Sequence, residues 1–239
     1  MTTNATVIYE KQDDGLAWVT LNRPQVLNAL DLQMRDELWT ALEAVRVDPD
    51  VGIVIFRGAG DRAFSAGADI NDFGTAPSYL EARRARLERD LWGLFLAMEK
   101  PLIAAIQGYA LGAGLELSLL CDLRLASEDG RLGLPEVALG YLPTAGGSQT
   151  LSRTIGKGRA LHLVLSGEPV SAAQALEMGI IQWVVPRAEL YRTAEALARR
   201  ILTRPAAAVR LAKAAVVRGQ DLPLPDALRL EALLRHALP

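Results

Sequence analysis

Two short, nearly unbroken apolar runs restrict this chain most: Val51-Gly52-Ile53-Val54-Ile55-Phe56-Arg57 and Leu102-Ile103-Ala104-Ala105-Ile106. They are short for helices and lack the polar alternation of a strand with one wet face, so each reads as a buried strand. Each opens a similar local plan. The first run ends at Gly58-Ala59-Gly60, bends again at Ala66-Gly67-Ala68 and leads to a long amphipathic helix predicted over 78–98. The second leads through a small-residue turn, Gly108 to Gly114, into a helix from Leu115 to Leu120 and a further strand at Leu123-Arg124-Leu125-Ala126. Strand, turn and helix units that recur without sequence identity predict a coiled or layered α/β architecture.

The flanks fit around this repeat. Val7-Ile8-Tyr9-Glu10 and Ala17-Trp18-Val19-Thr20-Leu21 enclose Asp13-Asp14-Gly15 as a hairpin. Asp31 caps a helix reaching about Arg46, with Leu32, Leu38, Leu42 and Val45 on its inner side. From about Ala188 the pattern is helical only, over 190–202, 205–217 and 226–237, punctuated by Pro205, Pro223 and Pro225. The expected division is a core over 1–190 and a helical region over 191–239, which packs on that core or on a neighbouring subunit.

With 239 residues, half of them hydrophobic, the chain can bury one large core. A net charge of −2 gives no electrostatic case for nucleic acid or an anionic membrane. Arg83, Arg84, Arg86 and Arg89 alternate with Glu81, Glu88 and Asp90, the pattern of a solvated helix face. One cysteine, Cys121, excludes an intramolecular disulfide and reads as a small core residue. No apolar run approaches the ~20 residues of a membrane span, so the expectation is a soluble, cytoplasmic protein.

Chemistry concentrates at two glutamates. Glu116 follows Gly112-Ala113-Gly114-Leu115, and Glu136 follows Gly133-Leu134-Pro135. A carboxylate at a bend in apolar surroundings gains a raised pKa, which suits proton transfer near neutral pH. The bends Ala66-Gly67-Ala68 and Gly112-Ala113-Gly114 leave backbone N–H groups approachable, as tight turns or as two halves of an oxyanion hole. Other chemistries are unsupported. There is no G-x-S-x-G elbow, no Walker loop and no complete G-x-G-x-x-G, and His162 and His236 stand alone without metal-ligand spacing.

Several blocks, in order, carry a resemblance: Leu21-Asn22-Arg23-Pro24, Leu27-Asn28-Ala29-Leu30, Phe64-Ser65-Ala66-Gly67-Ala68-Asp69-Ile70, and Pro101 to Gly108. It continues through Ala110 to Leu117, Cys121-Asp122, Leu134-Pro135-Glu136 and Gly140 to Gly147. With these the chain resembles the enoyl-CoA hydratase/isomerase (crotonase) family nearly throughout. The resemblance implies a crotonase-like spiral of repeated ββα units with a C-terminal helical region, assembled as a homotrimer or a dimer of trimers. It also implies acyl-CoA thioester substrates, with coenzyme A part of the substrate and no separate cofactor or metal.

By matching position, the N–H groups of Ala68 and Ala113 would hold the thioester oxygen. Glu116 would deprotonate water attacking Cβ, and Glu136 would protonate Cα. Gln25, Val26, Leu27, Ala66, Gly67, Asp69, Ile70, Gly112 and Thr144 would contact substrate or CoA. The segment from Asn71 to about Leu94, with Trp92 and Phe95, is expected to help shape the acyl pocket, and the two aromatics read equally as ordinary helix core. Ala113 and Thr144 stand where the family commonly has glycine, and Gln25 where it often has lysine. Retention of both acids implies a hydratase first, an isomerase or other enolate chemistry second, and a non-catalytic acyl-CoA binder third.

Overall fold

The computed structural model describes residues 5–72 and 88–238. Two sheets dominate it. The larger has the strand order β1 (Val7–Lys11), β2 (Leu16–Leu21), β3 (Ile53–Gly58), β5 (Leu102–Ile106), β7 (Leu123–Ser127) and β10 (Trp183–Val185). Only the β1–β2 hairpin is antiparallel there; β2, β3, β5, β7 and β10 run parallel. The smaller sheet orders β4 (Ala63–Ser65), β6 (Tyr109–Leu111), β8 (Arg131–Gly133) and β9 (Val170–Ser171), with β4, β6 and β8 parallel. The pairs β3–β4, β5–β6 and β7–β8 each place one strand in each sheet before the chain moves on. The expected spiral of ββα units is thus laid down turn by turn.

Burial explains why β3 and β5 carry no polar alternation. Ile53, Ile55, Ile103, Ala105 and Leu125 pack on one face against Leu190, Ala194 and Ala198, spaced by four along helix α7 (Leu190–Leu202). Val54, Phe56, Leu102, Ala104 and Ile106 face the main core, which includes Met34, Leu38, Leu42 and Val45 of α1 (Leu32–Val47). Both faces of the sheet are therefore dry. Asp31 caps α1, its carboxylate accepting the Met34 N–H at 2.8 Å. Leu32, expected on the inner side, points outward and is 56% exposed; Met34 and Ala41 complete the buried stripe instead.

Most of the helix expected over 78–98 lies outside the described residues, as do Glu81, Arg83, Arg84 and Arg86. Its end is present as α2 (Leu91–Ala97), with Leu91, Leu94 and Phe95 buried. The turn expected from Gly108 to Gly114 contains a strand, β6, and α3 (Ala113–Leu119) starts two residues before the expected Leu115. No helix among the described residues is long and apolar enough to cross a membrane.

Asn28 is the knot between the early loop and the strand ends. It is fully buried, and its Nδ2 donates to the Ala59 and Ala63 carbonyls at 3.0 and 2.8 Å while its Oδ1 accepts the Arg23 N–H at 2.9 Å. Its φ of 56° and that of Leu27, 55°, are left-handed, which asparagine tolerates better than most residues. Asn28→Ala removes all three bonds and disfavours the backbone. It should lower the unfolding free energy by about 2–4 kcal/mol in urea titrations, and Asn28→Gly, which relieves only the backbone, should be less harmful.

Candidate active site

The carboxyl ends of β4, β6 and β8 lie side by side, where parallel strands of α/β proteins present ligand-binding groups. The bend Ala66-Gly67-Ala68 follows β4, Gly112-Ala113 follows β6, and Leu134-Pro135-Glu136 follows β8. The first two bends touch. A β-carbon on Gly67 would lie 2.8 Å from the Leu111 carbonyl oxygen and 3.4 Å from the Ala113 nitrogen. Gly67 and Gly112 have φ of 103° and 50°, so both space and backbone demand glycine.

Neighbouring bonds fix where the two amides point. Leu30 and Ala68 form a parallel bridge, in which the Leu30 N–H donates to the Gly67 carbonyl at 2.8 Å and the Asp69 N–H donates to the Leu30 carbonyl at 2.9 Å. In a trans peptide the N–H points opposite to the carbonyl, so the Ala68 N–H is turned away from Leu30. Ala113 opens α3, whose first N–H groups have no intrahelical acceptor. Among the described residues neither the Ala68 nor the Ala113 N–H finds an acceptor.

The carboxylates meet the same place with different support. Glu116, 2% exposed, accepts the Ala145 and Gly147 N–H groups on Oε1 at 2.9 and 2.7 Å. Gly147 is the first residue of α4 (Gly147–Ile155), so a helix N-terminus faces the carboxylate. Burial, and then the nearby Glu136 charge, still push Glu116 up to about 7 against the pull of the two amides. Burial also raises Glu136. One Glu136 oxygen, Oε2, is buried without a hydrogen-bond partner, and Oε1 would lie 3.0 Å from a β-carbon on Gly112. Burial therefore favours the neutral form of both groups, and only Glu116 has two N–H groups that pull back toward the carboxylate.

Known proteins resemble this chain along most of its length. The family model for enoyl-CoA hydratase/isomerase matches residues 11–239. The crotonyl-CoA hydratase of Syntrophomonas wolfei is 40% identical over 95% of this chain and 86% of its own length. The short-chain-enoyl-CoA hydratase of Clostridium acetobutylicum is 38% identical over the same shares, 95% and 86%. The crystal structure of an enoyl-CoA hydratase from Bacillus anthracis superposes with a TM-score of 0.92 at 36% identity, covering 98% of this chain and 90% of that one. The chain belongs to the enoyl-CoA hydratase/isomerase family.

Around this candidate site the remaining residues separate. Gly67, Gly112, Ala66 and Thr144 sit beside it, Thr144 exposed and immediately before Ala145, whose amide serves Glu116. Gln25 and Val26 are exposed on a single helical turn over Pro24–Val26, with Leu27 half-buried after it. Ile70 is 66% exposed just past the Ala68 bend. Asp69 is different. Its carboxylate accepts from Asn71 and faces the Arg23 guanidinium at 2.9 Å, which also holds its pKa down, so the side chain is engaged within the protein. Of the acyl-pocket segment, Phe95 is buried and stacked on Trp92 at 6.4 Å, and 73–87 lie outside the described residues.

Reading residues in isolation misses the Ala145 and Gly147 amides and the Arg23 link, because nothing local marks an N–H or an ion pair that acts across the fold. Among the described residues no cluster of His, Cys, Asp or Glu could hold a metal.

The raised Glu116 has a stability consequence. Its folded value near 7 lies above the ordinary 4.5, so the fold favours the neutral form. That stabilisation is complete below pH 4.5 and disappears as pH rises through 7. Glu116→Gln keeps a neutral acceptor oxygen for both amides. In urea titrations it should exceed the wild type at pH 8 by at most about 3 kcal/mol, the gap closing toward pH 4.5. A gap independent of pH would contradict the assignment.

Proposed function

We propose that this protein is an enoyl-CoA hydratase that adds water reversibly across the 2,3 double bond of an enoyl-CoA thioester, giving a 3-hydroxyacyl-CoA. The observation that carries this reading is the unequal pair of glutamates beside two unengaged amides: Glu116 Oε1 receives two N–H groups, whereas Glu136 Oε2 receives none. In the forward direction the Glu116 carboxylate takes a proton from water as its oxygen bonds to Cβ. The π electrons move toward the thioester oxygen, where the Ala68 and Ala113 N–H groups stabilise the enolate-like charge. The Glu136 carboxylic acid then gives its proton to Cα. One water is consumed, and the two acids exchange protonation states before the next turnover.

Double-bond isomerisation needs one carboxyl group to carry a proton between carbons. A second carboxylate seated on two amides has no part in that, so hydration is favoured. The relatives named for crotonyl-CoA and short-chain enoyl-CoA support a short acyl chain as the first substrate to test. Gln25, Val26 and Leu27 are assigned to the CoA moiety, and Val26, 40% exposed, offers it an apolar surface.

Purified protein should consume the conjugated absorbance of crotonyl-CoA. Glu116→Gln and Glu136→Gln should each lower kcat by about 10²–10⁴-fold, the usual worth of a general acid or base. A mild Glu116→Gln beside a crippled Glu136→Gln would instead favour isomerisation, and saturable binding without turnover would favour a non-catalytic binder.

The assembly proposed is a homotrimer or a dimer of trimers. Supporting it, α8 (Ala206–Gly219) and α9 (Leu224–His236) contain no buried residue, and Val216, Leu224 and Leu233 are 64%, 71% and 70% exposed. Light scattering should return three or six times the 25.8 kDa chain mass, and a monomer mass would contradict it.

A further inference from the structure

Every polar atom of Asp69 has a partner within the protein. Its N–H donates to Leu30, its carbonyl accepts the Asp72 N–H at 3.1 Å, Oδ1 accepts from the Asn71 N–H and Nδ2 at 3.1 and 2.9 Å, and Oδ2 meets Arg23 Nη1 at 2.9 Å. The residue is 8% exposed. Arg23 is shared more widely. Nη1 also donates to the Ala29 carbonyl at 2.7 Å, and Nη2 lies 3.2 Å from Asp31 Oδ2. One guanidinium therefore ties together residues 29, 31 and 69, on either side of the bridge between Leu30 and Ala68.

That bridge sets the direction of the Ala68 N–H, because the peptide carrying it is held by Leu30 through the Gly67 carbonyl. We propose that Arg23 and Asp69 form a positioning pair for the Ala68 oxyanion donor, so that an ion pair that touches no substrate governs charge stabilisation on the thioester oxygen. The Arg23 fork suits this role, because it is planar, always charged and able to hold a carbonyl and two carboxylates at once. Oxyanion donors are sensitive to small displacements, since their worth lies in pre-set geometry. The inference rests on the hydratase reading and concerns kcat more than substrate affinity.

Asp69→Asn tests it, because the amide keeps the size and the link to Asn71 but loses the ion pair. Crotonyl-CoA hydration should show kcat lowered by about 10- to 100-fold with KM within ~3-fold, the signature of an interaction strengthened in the transition state. A second readout is the absorption red shift of a conjugated aryl-acryloyl-CoA on binding, which reports polarisation of the thioester carbonyl. The shift should shrink in the variant while Kd stays within ~3-fold.

Arg23→Lys, which keeps the charge but not the fork, should behave alike and carries the test if Asp69→Asn loses its cooperative thermal transition. Wild-type kcat and red shift in a folded variant would overturn the proposal, as would a lowered Tm with both readouts intact. A wild-type protein that binds the chromophore without a red shift would overturn the oxyanion assignment, and the pair's role with it. A wild type that shifts the chromophore but does not hydrate crotonyl-CoA would overturn the hydratase reading alone, leaving the pair to be judged by the red shift.

Discussion

The contact between the bends at Gly67 and Gly112 is the constraint on which the rest depends. Two backbones approach so closely that a β-carbon on Gly67 would press 2.8 Å from the Leu111 carbonyl, and one on Gly112 would meet Glu136 at 3.0 Å. Such an approach is reached only if β4 and β6 are neighbours in a parallel sheet and release their chains at the same edge. The parallel sheet in turn requires crossover segments, which the spiral supplies by alternating strands between its two sheets. Two amides without an acceptor among the described residues are thereby left on adjoining bends.

The carboxylates add the electrostatic half of the account. Burying acidic groups is unfavourable, and the fold offsets it unequally. Glu116 receives the N-terminal amide of α4 and a second amide from Ala145, whereas the buried oxygen of Glu136 receives nothing. Burial pushes both toward the neutral form, and the two N–H groups on Glu116 are the difference that favours its carboxylate, the kind of asymmetry by which carboxyl pairs divide acid and base roles. The pair titrates as a unit, so the division describes which form each site supports best.

Much of this was legible in the sequence, and the limits have physical causes. The doubly buried strands β3 and β5 show themselves as apolar runs, and the bends and glutamates are marked by glycine and proline. The strands β4, β6 and β8 span three residues each, too few for any periodicity, so the second sheet is hidden and β6 looks like part of a turn. Leu32 resembles a core position only because apolar residues near a helix start need not face inward. Asp69 enters the candidate site by matching position alone; its partner Arg23 lies 46 positions away, beyond the reach of a local pattern.

The most direct measurement is a crystal structure of the protein with a short saturated acyl-CoA, whose thioester oxygen reports on the two bends. The account predicts that this oxygen lies within about 2.7–3.1 Å of both the Ala68 and Ala113 nitrogens, with the acyl Cα and Cβ between Glu136 and Glu116. A thioester oxygen held by other groups, or an acyl chain that bypasses either glutamate, would contradict it.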